Sequence, residues 1–101
     1  MSTISSSISE DGRTLEIEVG NRFDFNLHLL FRAAQESAPQ ASQFVVDLAQ
    51  TEYMDSSALG MLLVLHEAAG KAGGKVTVRN CRPLVRQILQ IANFQKLFKI
   101  E

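Results

Sequence analysis

Three consecutive polar residues, Asp55-Ser56-Ser57, form the stretch of this sequence with the clearest capacity for chemistry. They follow Met54 and precede an apolar helical pattern that runs from Met61 to Ala69. Backbone N–H groups are unpaired at a helix N-terminus, which carries a partial positive charge. A serine hydroxyl held in that first turn faces solvent, beside a favourable position for an anion. The geometry therefore makes Ser56 and Ser57 candidates for phosphorylation.

The same residues also have a purely structural interpretation. Serine and aspartate are preferred N-cap residues, because the side-chain oxygen accepts a hydrogen bond from an unpaired N–H group. On this interpretation Asp55 or Ser56 caps the helix, and its oxygen is already occupied. Without further context, capping is the commoner role of a serine at this position.

The helical pattern that follows has two faces. At about 100° per residue, one face is predicted to be buried: Ala58, Met61, Leu62, Leu65 and Ala69. The opposite face carries Ser56, Gly60, Leu63, Val64, Glu67 and Lys71. Exposed apolar residues rimmed by charge are typical of a docking surface, and Gly60 would let another molecule approach the backbone. The alternative is that neighbouring elements cover Leu63 and Val64.

Residues that usually build catalytic sites do not form a recognisable group. The two histidines, His28 and His66, have no partner at metal-ligand spacing. The glycines near residues 70–74 follow a helix rather than open one, unlike a phosphate-binding loop. Ser56 does not lie in a Gly-x-Ser-x-Gly motif. We therefore expect that the protein is not an enzyme and that it needs no cofactor.

Two weaker candidates for chemistry remain. Asp24, Asp47 and Asp55 would meet if they lie at the carboxyl ends of neighbouring strands, but a fourth metal ligand is missing from the sequence. Cys81 is flanked by Arg79 and Arg82, which would lower its pKa. A small residue in a turn is the simpler interpretation of this cysteine.

The remaining pattern predicts an α/β domain of order β-β-α-β-α-β-α-α-β, with parallel pairing through right-handed crossovers. Ile4 and Ile8 are widely spaced, so only a weak edge strand is expected near Ile4–Ile8. The run Phe44–Leu48 lacks alternation, which suggests a strand buried on both faces. A core stripe of Leu27, Leu30, Phe31 and Ala34 is expected in the first helix. The other expected elements are strands at 15–19, 75–79 and 99–101 and helices at about 27–37, 56–72, 84–91 and 94–98.

Size and composition are those of one soluble domain spanning residues 1–101. The formal net charge of −1 gives no long-range attraction to nucleic acid or to an anionic membrane. The single cysteine excludes an internal disulfide and fits a reducing compartment. The sequence has no signal-peptide pattern and no run long enough for membrane insertion. The expected location is cytoplasmic.

The stretch Val45-Val46-Asp47-Leu48, followed by Tyr53-Met54-Asp55-Ser56-Ser57-Ala58-Leu59-Gly60, resembles the STAS domain of anti-sigma factor antagonists. The family pattern is an apolar strand ending in Asp-Leu, a short loop and Met-Asp-Ser-Ser-Gly-Leu-Gly. Phe23-Asp24, Gly73-Gly74 and the closing segment 94–100 match further family features. Ala58 and Asn21 depart from it, because glycine is common at both positions.

This resemblance implies a STAS-type mixed β-sheet with about four helices and a protein-binding switch. The family's serine directly after the aspartate is phosphorylated, which carries over to Ser56. The implied partners are an anti-sigma factor or GHKL-type serine kinase and a metal-dependent serine phosphatase. The unphosphorylated form would bind its partner, as in bacterial partner-switching pathways that control motility and biofilm. The expected partner-binding residues surround the serine: Asp24, Asp55, Ser57, Gly60, Leu63, Val64 and Glu67.

Two other functions remain open from the sequence. The chain could be an unphosphorylated scaffold subunit of a larger complex, or a module that binds a nucleotide or another small ligand. Phosphopeptide analysis separates the first of these from the switch, and calorimetry with nucleotides tests the second.

Overall fold

A computed structural model describes residues 3–101 as one β-sheet layer with helices packed against it. Two 3-10 turns, Phe25–Leu27 and Phe94–Lys96, supplement the regular elements. The strands are β1 Ile4–Ile8, β2 Thr14–Val19, β3 Arg22–Phe23, β4 Gln43–Asp47, β5 Tyr53–Met54, β6 Lys75–Arg79 and β7 Lys99–Ile100. The helices are α1 His28–Glu36, α2 Ser56–Lys71 and α3 Pro83–Ile91.

The main sheet has five strands in the order β1-β2-β4-β6-β7. The strand β1 pairs antiparallel to β2, and the remaining pairs are parallel. Each parallel strand is added on the same side of the previous one, so right-handed crossovers place α1, α2 and α3 on one face. This confirms the mixed α/β sheet and the expected order of its main elements.

The two faces of the sheet differ in burial. In-register rows such as Ile17, Val46 and Val78 point toward the helices and are fully buried. Val45 and Asp47 of β4 point to the opposite face and are only half-buried. The prediction that segment 44–48 is buried on both faces is therefore wrong, because the helices cover a single face.

Two very short strands were missed by sequence reasoning. The strands β3 and β5 pair in parallel, with Arg22 opposite Tyr53 and Phe23 opposite Met54. Two residues are too few to show a period of two, so no alternation marks them. The pair joins the segment before α1 to the segment before α2.

The helices also correct two expectations. Leu30 is 53% exposed, so it does not belong to the core stripe that Leu27, Phe31 and Ala34 form. The expected fourth helix is only a 3-10 turn, since Asn93 adopts a left-handed conformation (φ 62°) just before it. Residues 3–101 therefore form three α-helices, where about four were expected.

A glycine pair ends α2 and starts β6. Gly73 has a positive φ of 75°, and Gly74 N–H donates to the Ala69 carbonyl at 2.8 Å, which is the Schellman arrangement. A Cβ on Gly74 would collide with the Ser42 carbonyl. The same carbonyl accepts a hydrogen bond from Lys75 N–H, so this close approach fixes β6 against the start of β4.

Candidate functional site

The candidate site is the N-terminus of α2, and Asp55 is its cap. The Asp55 carboxylate accepts hydrogen bonds from Ala58 N–H (3.1 Å) and from the Ser57 hydroxyl (2.7 Å). The Ser57 hydrogen bond is the main cause that lowers the pKa of Asp55, and backbone N–H groups of Ala58, Ser57 and Phe25 lower it further. Asp55 is therefore a charged acceptor that satisfies the first turn of the helix.

Ser56 is the first residue of α2, and it is exposed. Since Asp55 supplies the cap, the Ser56 hydroxyl is not needed for capping, and it makes no hydrogen bond with the residues in 3–101. Ser57 differs, because the residue is half-buried and its hydroxyl donates a hydrogen bond to Asp55. Of the two serines, only Ser56 presents a free oxygen at the positive end of the helix.

Asp24 lies beside this turn because of the β3–β5 pairing. Asp55 N–H donates to the Phe23 carbonyl at 3.3 Å, so the residues that follow the two short strands are neighbours. Asp24 is 9% exposed and accepts hydrogen bonds from Asn26 N–H (3.0 Å) and Arg22 Nε (3.4 Å). The structure thus places Asp24 and Asp55 next to the carboxyl ends of the paired strands β3 and β5.

Three further residues that position the site were not found from the sequence. Thr51 is buried, and its hydroxyl donates to the Gly20 carbonyl (2.9 Å), which holds the loop before α2 against the end of β2. The Arg22 guanidinium stacks over the Tyr53 ring at 4.7 Å. These contacts depend on the pairing of β3 with β5. Strands of two residues show no alternation, so no signal in the sequence marks this pairing.

The exposed side of α2 forms a continuous surface, here called the serine face: Ser56, Gly60, Leu63, Val64 and Glu67. All of these residues are exposed, with Leu63 at 39% and Val64 at 57%. Neighbouring elements therefore do not cover the two apolar side chains, which removes the alternative left open by the sequence. On the opposite side, Ala58, Leu62, Leu65 and Ala69 are fully buried, while Met61 is only half-buried.

Met61 is partly exposed because it lines a cavity of about 390 Å³ between α1 and α2. Val64 lies at the junction of this cavity and the serine face. His28 and Phe31 line the cavity from α1, and the His28 ring stacks on Phe25 with a centroid distance of 4.2 Å. The serine face is thus continuous with a concave, partly aromatic surface.

The weaker candidates do not form a reactive centre. Asp47 pairs with Arg79 and accepts a hydrogen bond from Asn80 (3.1 Å). Among residues 3–101, no three His, Cys, Asp or Glu residues are grouped so that they could hold a metal ion. Burial raises the pKa of Cys81, with Asp47 adding to the rise and Arg86 opposing it. The expectation that flanking arginines would lower this pKa is therefore wrong.

Comparison with known proteins identifies the family. The family model described as "Mlab, STAS domain" matches residues 6–99. A STAS-domain containing protein of Pseudomonas aeruginosa (strain UCBPP-PA14) is 50% identical over 93 residues, covering 91% of this chain and 92% of the relative. The chain belongs to the STAS domain family.

Solved structures share the fold at low sequence identity. The anti-sigma factor antagonist SpoIIAA in its unphosphorylated form matches with a TM-score of 0.86 at 18% identity, covering 98% of this chain and 88% of that chain. The phosphorylated form of SpoIIAA, described as a Bacillus cell fate determinant, gives 0.77 at 17% identity, covering 98% and 91%. An anti-sigma factor antagonist from Mycobacterium paratuberculosis gives 0.73 at 22% identity, covering 97% and 85%.

None of the helices that residues 3–101 form is both long and apolar enough to pass through a membrane.

Proposed function

We propose that this STAS domain is a phosphorylation-controlled protein-binding switch, in which Ser56 is the phosphorylated residue. The unphosphorylated form binds an anti-sigma factor or a related serine kinase, and phosphorylation of Ser56 releases that partner. The observation that carries the proposal is the free, exposed hydroxyl of Ser56 beside an uncovered apolar surface. The similarity to anti-sigma factor antagonists supports the kind of partner.

The local cost of phosphorylation is small. A phosphate on Ser56 adds about −1.5 to −2 charges at pH 7. The helix N-terminus favours such an anion by about 0.3–1 kcal/mol. The charged carboxylate of Asp55, one residue away, opposes it. Because these effects largely offset each other, we expect the fold to stay unchanged.

The effect on binding is large, because the charge would be buried in an interface. Leu63 and Val64 supply apolar contact area, and Gly60 lets a partner backbone come close to α2. An unpaired dianion buried against such a surface costs several kcal/mol, and each 1.4 kcal/mol is about tenfold in affinity. Phosphorylation at Ser56 would therefore reduce affinity by orders of magnitude.

Asp24, Asp55 and Ser57 act on the serine rather than on the apolar contact. The Asp55–Ser57 hydrogen bond fixes the first turn of α2, and Asp24 lies next to it. We propose that these residues orient the hydroxyl for the kinase. Glu67, on the far side of Leu63 and Val64, forms the charged rim of the binding surface.

Variants of Ser56 test the switch directly. Ser56→Ala is expected to bind the partner as tightly as the unphosphorylated protein and to resist release by kinase and ATP. Ser56→Asp is expected to bind at least about tenfold more weakly, since it places a charge in the interface. Affinity capture with Ser56→Ala supplies the partner, and calorimetry with the purified partner measures each affinity.

The control is Gln87→Glu, which also adds one negative charge but lies exposed on α3. It is expected to bind like the wild type. Phosphopeptide mass spectrometry of protein isolated from cells should locate the phosphate on Ser56. Equal affinity of Ser56→Ala and Ser56→Asp would refute the proposal.

A further inference from the structure

A second concave site lies at the other end of α2 from Ser56. It is a cleft of about 290 Å³ between the C-terminal half of α2, the start of β6 and the segment 95–99. His66 lies ten residues after Ser56, which is about 15 Å along a helix axis. The amino ends of the parallel strands β4 and β6 meet here, whereas the segment that leads to Ser56 leaves the carboxyl end of β4.

The cleft concentrates positive charge. Lys75, Lys96 and Lys99 all line it, and they are three of the four lysines in the chain. None of the nine residues lining it is acidic. The acid paired with one of these lysines is Glu101, whose carboxylate lies 3.2 Å from Lys99 Nζ. In a chain of net charge −1, this arrangement makes one local site for an anion.

The floor of the cleft is apolar and partly aromatic. Phe98 and Val76 are buried, and the His66 ring meets the Phe98 ring edge-on with a centroid distance of 5.3 Å. The Gly73-Gly74 turn brings Lys75 to the rim, because Gly74 is pressed against the Ser42 carbonyl. The site therefore combines a buried apolar floor with exposed lysine side chains at its edge.

We propose that this cleft binds a small phosphate monoester with an apolar or aromatic body. A phosphate monoester carries close to two negative charges at neutral pH, which suits several lysines better than a single carboxylate does. The apolar body would contact Leu97, which lines the cleft and is 44% exposed. The volume of the cleft lies near the lower end of the size range of small-ligand pockets. This site and the switch at Ser56 are separate.

Three probes of one shape and different charge test the ligand class. Phenyl phosphate, benzoate and phenol are titrated into ¹⁵N-labelled full-length protein, and amide shifts of Lys75, Val76, Lys96 and Lys99 are followed. Phenyl phosphate is expected to bind saturably, benzoate more weakly, and phenol not measurably. Binding of phenyl phosphate should weaken as salt is raised. Benzoate or phenol binding as tightly as phenyl phosphate would overturn the proposed class.

The triple variant Lys75→Gln/Lys96→Gln/Lys99→Gln tests the site. Its Kd for phenyl phosphate is expected to rise at least about tenfold, while its circular dichroism spectrum stays that of the wild type. The matched control is Lys71→Gln, which removes the one lysine outside the cleft and should leave the Kd unchanged. Ser56→Asp should also leave it unchanged, so failure of the switch does not affect this test. An unaltered Kd in the triple variant would overturn the assignment of the cleft.

Discussion

At the N-terminus of α2, the capping side chain and the exposed hydroxyl belong to two different residues. Asp55 accepts the hydrogen bonds of the first turn, and Ser57 reinforces it. Ser56, between them, is left exposed with no structural duty. A kinase could modify Ser56 without removing a cap, whereas modification of Ser57 would break the hydrogen bond to Asp55. Under the proposed switch, this division favours Ser56 over Ser57 as the phosphorylated residue.

Replacement of Asp55 tests its role as the cap. Asp55→Ala is expected to lower the free energy of unfolding by about 0.5–2 kcal/mol, because Ala58 N–H loses its acceptor. Asp55→Asn keeps an acceptor and should lose less. Urea unfolding at pH 7 measures both variants. A loss of stability in Asp55→Asn that equals the loss in Asp55→Ala would contradict the capping role.

The same residue gives a pH dependence. The folded-state pKa of Asp55 lies below its usual value of 3.8, chiefly because of the Ser57 hydrogen bond. Its stabilisation is therefore complete above the unfolded pKa and is lost as the pH falls through the lower, folded pKa. Wild type should lose more stability than Asp55→Asn between about pH 5 and pH 2. Asp11, whose pKa is also lowered, titrates in both proteins and serves as the shared background.

At the scale of elements, the turn between α2 and β6 depends on two glycines for different reasons. Gly73 needs a positive φ, and Gly74 needs the absence of a Cβ. The close approach of Gly74 to Ser42 sets how β6 aligns with β4 and hence where the C-terminal end of α2 lies. Both the register of β6 against β4 and the cleft that Lys75 lines depend on this contact.

Substitution of these helix-end glycines separates the two effects. Gly74→Ala is expected to destabilise the protein by about 3 kcal/mol or more, since the new Cβ meets a backbone carbonyl that cannot move freely. Gly70→Ala, in the last turns of α2 with open space around it, should stabilise by about 0.5–1 kcal/mol. Thermal unfolding followed by circular dichroism measures both changes. A Gly74→Ala variant as stable as the wild type would disprove the close contact.

The helix α2 has one face that packs in the core and one face that is exposed. Leu65 is fully buried, while Leu63, two residues earlier, is 39% exposed. The two leucines differ in burial because two residues of an α-helix turn the side chains about 200° apart. The helix can lose an outward leucine without losing its packing on the sheet.

A pair of leucine substitutions tests this separation. Leu65→Ala is expected to lower the free energy of unfolding by about 2–5 kcal/mol, because it leaves a cavity in the core. Leu63→Ala should change stability by less than about 1 kcal/mol and should weaken binding of the partner captured with Ser56→Ala. Urea unfolding and calorimetry give the two quantities. The serine face is not the binding surface if Leu63→Ala binds the partner like the wild type.

At the scale of the whole molecule, the helices cover one face of the sheet, and the other face carries ion pairs between neighbouring strands. Arg79 on β6 reaches Glu16 on β2 at 2.6 Å and Asp47 on β4 at 3.5 Å. Burial alone would lower the pKa of Arg79, but these two carboxylates outweigh it and raise the pKa. The uncovered face thus carries a network of charged side chains that joins three neighbouring strands.

The sequence by itself determined the order of the main elements, the family and the place of the Asp-Ser-Ser block at the start of α2. These features are local: alternation marks β2 and β6, helical periodicity marks the two faces of α2, and the Asp-Ser-Ser block lies at its start. Spacing along the chain is enough to read such signals, because they depend on residues within a few positions of one another.

Tertiary structure alone decided which surfaces are open and which distant residues meet. Only the packed molecule shows that Leu30 and Val64 are exposed and that β3 pairs with β5. Only the packed molecule brings Lys75 and Lys99, 24 positions apart, to one cleft. The physical reason is that exposure and long-range contacts follow from how elements cover one another, which no single segment encodes.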